Sequence, residues 1–335
     1  MASSTRWLRC APALSLGALL AVAAPQAEAQ GQPPPSAEGP APAAEPAPAP
    51  APAPRSPAAP PRPPGPPGPR AQAGASLRWD ERYPRVSPLE HAVAAGLGVS
   101  AILVDQLPVS DSGRWENGFD EGIRGALRAE SLAGRSTAAS VSDALYYGLM
   151  LYPVVVDTVA VAGWRSSDVA WQMLMINAQS LAISGVTSIL VERASGRERP
   201  YVRECAADPN YHPHCAEGPA KQNVSFPSGH TLMATTGAGL ICAHHLHLPL
   251  YGGGWPDHVA CGVALTAAGV QATLRITADK HYATDVLVSG VLGLGAGYAL
   301  PRLLHYRADQ AGGARVAVIP YATGTQAGLA GVGMF

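Results

Sequence analysis

Charge is scarce in this 335-residue chain. Only 14% of its residues are Asp, Glu, Lys or Arg, the formal net charge is −1, and lysine occurs just twice, at Lys221 and Lys280. A chain so nearly neutral carries no electrostatic footprint for nucleic acid and no acidic tail. Cysteine is sparse as well: five in this length exclude a disulfide-framed miniprotein. Alternating strand patterns are missing except near the C-terminus, at Val316–Tyr321 and Leu329–Phe335, where they predict a short terminal β-hairpin. What is plentiful is proline, glycine and apolar residues, at 33, 36 and 47% respectively, the first two as counts.

The prolines are concentrated, with 18 of the 33 in residues 31–70. Ahead of them, Arg6 and Arg9 precede the apolar run Ala11–Ala24, and Ala27-Glu28-Ala29 offers small residues around a cleavage point. That order predicts a secretory signal peptide over residues 1–29. Residues 30–70 then read as a Pro/Ala-rich disordered linker of polyproline II character, a spacer that buries nothing. Setting aside the eight charges of residues 1–70 leaves 39 over 265 residues, about 15%, against roughly 25% for an ordinary soluble domain. The low charge therefore belongs to the folded part, read as one helical domain over residues 71–310, with a tail over 311–335.

Within that body, apolar runs of near-spanning length fall at 89–107, 139–163, 167–192, 229–247, 258–274 and 283–304, with an amphipathic stretch at 115–133. Pro108, the Gly163–Ser167 turn, the Pro200–Pro227 loop and the glycine-rich Leu248–Pro256 segment separate them. The pattern predicts an all-α fold, a six-helix core bundle embedded in a membrane. Asp157, Asn177 and Gln179 lie inside apolar runs and need partners within the bundle. Gly293 and Gly297 form a small-xxx-small pair suited to close helix contact.

Three short constellations carry chemistry: Arg199-Pro200, Pro227-Ser228-Gly229-His230, and Arg275 followed by His281 and Asp285. Singly each has a plain explanation, as an arginine complementing a helix C-terminus, a serine N-cap, and a surface His/Asp pair. Together they make an anion site. Backbone N–H groups after Ser228 open a helix where an oxyanion binds, and Gly229 allows close approach. Arg199 and Arg275 add planar forks for phosphate oxygens. His281 and Asp285, four apart, are placed on one helix face so that the carboxylate orients the imidazole, with His230 left to protonate a leaving oxygen.

In order and spacing these residues resemble the three signature motifs of the type-2 phosphatidic acid phosphatase/vanadium-dependent haloperoxidase superfamily, over about residues 88–306. The resemblance implies a six-helix core with the motifs meeting at one end. It implies His281 as nucleophile through a phosphohistidine, Asp285 as its orienter and His230 as general acid, with Arg199, Arg275, Ser228 and Gly229 holding the phosphate. No metal or other cofactor is called for, and vanadate enters only under an alternative haloperoxidase reading; a non-catalytic envelope scaffold is the third. The family pattern begins with a lysine seven residues before the Arg-Pro arginine. Here that position is Glu192, with Arg193 beside it as the candidate substitute. Leu274 stands where the family often has serine.

Cys205 and Cys215 are the disulfide candidates of an exported protein, whereas Cys242 and Cys261 read as core thiols within apolar helices. His212 and His214 beside Cys215 read as part of the disulfide loop in preference to a metal site. His244, His245 and His247 read as an ordinary helix end. The expected activity is metal-independent hydrolysis of a phosphomonoester or pyrophosphate, a lipid phosphate first. The expected partners are that substrate and a membrane, with no nucleic acid. Export to the cell envelope with the site facing outward is expected, a soluble periplasmic form being the alternative.

Overall fold

The computed structural model describes residues 77–307 and the strands at 315–323 and 326–334; the expected signal peptide and linker lie outside the described residues. The helices are α1 (Pro88–Val104), α2 (Gly118–Leu127), α3 (Leu132–Arg165), α4 (Ser167–Ser195), α5 (Pro200–Cys205), α6 (Pro219–Gln222), α7 (Gly229–His247), α8 (Trp255–Thr277) and α9 (Ala283–Leu304). The fold is all-α apart from the terminal hairpin, in which β1 (Arg315–Thr323) pairs antiparallel with β2 (Gln326–Met334), Thr323 opposite Gln326 and Arg315 opposite Met334.

Local chemistry explains the boundaries. Ser87 opens α1 with a reciprocal capping box to Glu90, and Pro88 follows at the first helical position. Ser131 and Ser166 cap α3 and α4. Gly196 ends α4 in the left-handed region at φ 57°, and a Cβ there would collide with the Ser110 carbonyl, so glycine is required. That turn delivers Arg197 and Arg199 back toward the bundle.

Six long helices form the core, as the apolar runs predict. α7 runs through the middle, with fourteen of its residues buried, against α3, α4, α8 and α9; α1 packs on α4. Gly293 and Gly297 let α9 press on α7: a Cβ on either would overlap the Leu232–Thr236 backbone or the Thr235 side chain. Gly239 on α7 returns the contact, its Cβ position 2.8 Å from the Gly297 carbonyl carbon. Gly297→Val is expected to lower stability by about 1–3 kcal/mol through overpacking, read as a reduced thermal midpoint of the purified protein, while Gly290→Ala, in open space, should leave it unchanged.

Of the polar residues inside the apolar runs, Asn177 and Asp157 find partners. Asn177 donates to the Pro153 carbonyl (3.0 Å) and to Thr158 (2.9 Å) and accepts from His244 Nε2 (2.8 Å), whose Nδ1 meets the Tyr306 hydroxyl at 2.6 Å. Pro153 begins a π-helical segment through Ala162, so these side chains satisfy the carbonyl that the widened turn frees. His245 sits between Asp257 (2.6 Å) and Asp157 (3.2 Å), both buried. His244 and His245 are thus the centre of a buried polar network and more than an ordinary helix end, whereas His247 meets the Ala243 carbonyl at 2.8 Å as a helix-end imidazole does. A second correction concerns Cys242 and Cys261: they form a disulfide joining α7 to α8, and Cys205–Cys215 forms the expected one. Apolar periodicity shows that two cysteines are inside but not that their helices face each other.

Four helices, α3, α4, α8 and α9, are long and apolar enough to cross a membrane. Their outer faces expose Val155, Val159, Trp171, Val263, Val270, Leu287 and Val291, and α8 and α9 carry few charges to set against water. These are the features of a membrane protein.

Candidate active site

The three motifs meet at one end of α7. Ser228 caps that helix, its hydroxyl donating to Thr231 Oγ1 at 3.0 Å and accepting from the Thr231 N–H. Arg199 precedes α5, whose first residue is Pro200. Its Nε donates to the Lys221 carbonyl (3.1 Å), and its Nη1 to the Lys280 carbonyl (3.2 Å) and to His281 Nε2 (3.1 Å). Arg275, near the end of α8, donates from Nη1 to Ser142 (3.1 Å) and Asp143 (2.8 Å), while its buried Nε has no hydrogen-bond partner. Glu192, Arg199, Lys221, Gly229 and His230 line a cavity of about 190 Å³.

His281 is buried, and its Nδ1 lies 2.8 Å from the Ser225 carbonyl. A carbonyl only accepts, so Nδ1 carries the proton and the Nε2 lone pair faces Arg199. Burial first, then Arg199 and Arg275, hold this imidazole well below its usual range, which keeps it neutral. His281 precedes α9 by two residues, so it and Asp285 do not share a helix face as the spacing suggested. Asp285 is 3.7 Å from His281 Nδ1. Its Oδ2 instead accepts from Ser225 Oγ (2.7 Å) and the Tyr282 N–H (2.8 Å), and its Oδ1 from Arg197 (2.5 Å). The carboxylate thus steadies the Ser225 segment whose carbonyl orients the ring. His230 is half-exposed, 3.5 Å from Asp143 and packed on the Tyr146 ring at 4.6 Å.

Several contributors carry no motif. Asp143 and Tyr146 come from α3, and Ser225 from the loop before α7. Arg197 is buried and bridges Asp285 to Asp120 on α2 (2.6 Å), which also accepts from the backbone and hydroxyl of Thr284. Burial works to raise the Asp120 carboxyl, but Arg197 and Thr284 hold it below the usual carboxylate range. Arg124, one turn on along α2, grips Asp279 with two bonds of 2.6 and 2.8 Å, and Asp279 itself sits at φ 59° in the turn before His281. The amphipathic stretch thereby serves as a clamp under the third motif. An aspartate inside the apolar 139–163 run, one of two with Asp157, was the available signal for Asp143.

Arg193, the candidate substitute for the motif lysine, also lines the site's cavity, but its guanidinium is engaged elsewhere. One residue of helix turns it by about 100°, and its guanidinium donates to the Leu107 carbonyl and to Asp105 at 2.7 Å. Lys280 stands closer in role, half-buried among Arg275, Asp143 and Arg199. Leu274 packs on the Ala138–Ala139–Ala278 cluster. His212 stacks on Tyr201 at 4.2 Å, with His214 alongside, and among the described residues no group of three or more His, Cys, Asp or Glu is arranged for a metal.

Fold and site together define a helical membrane protein with a cationic pocket built around a neutral imidazole. The resemblance drawn from the motifs is borne out: the PAP2 superfamily model matches residues 173–309, a span holding all three motifs. Comparison with curated proteins gives no match. Among solved structures, the chain is similar to a transmembrane PAP2-type phosphatidylglycerolphosphate phosphatase from Bacillus subtilis, with 17% identity, a TM-score of 0.44, and coverage of 64% of this chain and 94% of that one.

Proposed function

We propose that the protein is a membrane-embedded phosphatase that hydrolyses a phosphate ester through a phosphohistidine on His281. The observation that carries this reading is the neutral His281, proton on Nδ1, with Nε2 turned toward Arg199. Nε2 attacks phosphorus as the ester P–O bond breaks, and His230 gives its proton to the leaving oxygen. Water then attacks, returning its proton to His230 as the P–N bond breaks, and inorganic phosphate leaves. Arg199, Arg275 and the Gly229 N–H neutralise the equatorial oxygens, supported by Ser228 at the helix start. In the protein alone, burial first and then Arg275 and Arg199 push His230 far below the usual imidazole range. A bound phosphate dianion adds the opposite charge and lets His230 carry its proton.

A lipid phosphate suits the surroundings. An apolar groove of about 470 Å³ runs along the α3–α8 seam, lined by Leu145, Leu149, Tyr152, Val259 and Val263, and that seam continues to the Ser142–Arg275 contact. Because the charges that would hold the phosphate are side chains, phosphate release is expected to persist in EDTA; a panel of lipid phosphates, isoprenyl pyrophosphates and soluble esters tests both points. Loss of all release on chelation would contradict the metal-independent reading.

Lys280 sets an alkaline limb. Burial first, then Arg275, lowers its ammonium to about 8. Above that pH the site loses one positive charge, so kcat/KM should fall as pH rises through about 8. Lys280→Arg should move the limb upward by more than about one unit, since guanidinium stays charged, and an unmoved limb would assign it elsewhere.

A further inference from the structure

Glu192 brings a carboxyl into the anion pocket. Its Oε1 accepts from Ser188 Oγ at 2.9 Å, and the Gly229 N–H at the start of α7 reaches the same carboxyl. The approach is close: a Cβ on Gly229 would stand 2.6 Å from Glu192 Oε1 and 2.7 Å from Ser188 Oγ. The charged groups around it are Arg193 on its own helix, Arg199 at the start of α5 and Arg275 on α8. His230 on α7, Lys221 on α6 and Asp105 at the end of α1, the last paired with Arg193, line the same cavity. A helix-start amide with two guanidiniums nearby is the donor set an oxyanion takes, and the Glu192 carboxyl already stands at its amide.

We propose that Glu192 is a built-in anion that competes with the substrate's phosphate for the Gly229 N–H and Arg199, which weakens binding of dianionic phosphate and favours groups of lower charge. This rests on the phosphate-site reading above. Two features separate it from a purely structural role. The carboxyl lies in the cavity and not against solvent or the core. Its Ser188 partner comes from its own helix, so Glu192 ties no second element to α4 except through the catalytic amide. Removing a structural residue weakens ligand binding, whereas removing a competitor strengthens it.

The test uses the purified full chain as wild type, Glu192→Gln and Glu192→Ala, with inorganic phosphate as a competitive inhibitor of phosphate release near pH 8 and near pH 5. Near pH 8, the inhibition constant and KM should fall by at least about tenfold in both variants, with kcat changing less, as expected for losing one like charge beside a charge-assisted site. Near pH 5 the gap should narrow, because phosphate is then a monoanion. Gln keeps the shape and Ala removes it, so agreement between them excludes a packing effect. Unchanged or weaker inhibition in both variants, with wild-type turnover intact, overturns the proposal alone. Absence of phosphate release and phosphate binding in all three proteins overturns the phosphatase reading and this inference with it.

Discussion

Replacing His281 by alanine is expected to reduce phosphate release by at least about three orders of magnitude, with no comparable change in the thermal midpoint. The ring is buried and makes one hydrogen bond through Nδ1, to the Ser225 carbonyl, while Nε2 faces the Arg199 guanidinium. A nucleophile needs that lone pair, and the groups beside it do not supply one: Arg199 and Arg275 are cations, Asp285 is occupied by Arg197, Ser225 and Tyr282, and His230 is the proton donor on the leaving-group side. His281→Gln sharpens the test, because its amide can still donate to the Ser225 carbonyl and keep the loop in place without supplying a nucleophile. Both variants should be equally inactive. Turnover retained by either one means that phosphoryl transfer does not pass through this residue.

Arg197→Ala is expected to cost about 3–5 kcal/mol of stability, the range for leaving buried charges without their partner. Arg197 lies against the Tyr282 ring, 4.2 Å from its centroid, and holds Asp285 on one side and Asp120 on the other. Its loss leaves two buried carboxylates without their cation, although Thr284 still links Asp120 to the start of α9. A double-mutant cycle with Asp120→Asn, read by thermal unfolding, should show the asparagine far less harmful in the alanine background than in the wild type. Because Asp120 is held below its usual range, the stability it provides is full above about pH 4 and is lost as pH falls below that. An Arg197→Ala protein within 1 kcal/mol of wild type would show that the bridge contributes little.

The parts of the site that repeat a local pattern were legible in the sequence. Ser228 before a glycine and a long apolar run marks a helix start, and that holds in the structure; Arg199 was expected at a helix C-terminus and instead precedes the short helix that Pro200 opens. Gly293 and Gly297 announced a close helix contact, whose partner only the structure identifies as α7, and Asn177 and Asp157 announced buried partners. What stayed hidden depends on which helix faces which. Nothing local to Asp143, Arg197 or Asp120 shows that three distant segments converge on Arg275 and Asp285. The Cys242–Cys261 disulfide was missed for the same reason. The four-residue spacing of His281 and Asp285 misled, because the helix begins only at Ala283 and the carboxylate caps it. Glu192 was visible as a departure from the motif, but its place on the Gly229 amide emerges only once α4 and α7 are packed together.

The central claim is a covalent phosphoryl–His281 intermediate, and trapping it is the most direct measurement. Purified protein is mixed with phosphatidic acid carrying a radiolabelled phosphate, quenched in alkali, where phosphohistidine survives, and digested for peptide mapping. The account predicts label on the peptide containing His281, more of it in His230→Ala, where water attack lacks its base, and none in His281→Gln. Continued phosphate release with no label on that peptide, or label on another residue, would contradict it, as would halide oxidation that appears only with added vanadate in place of phosphate release.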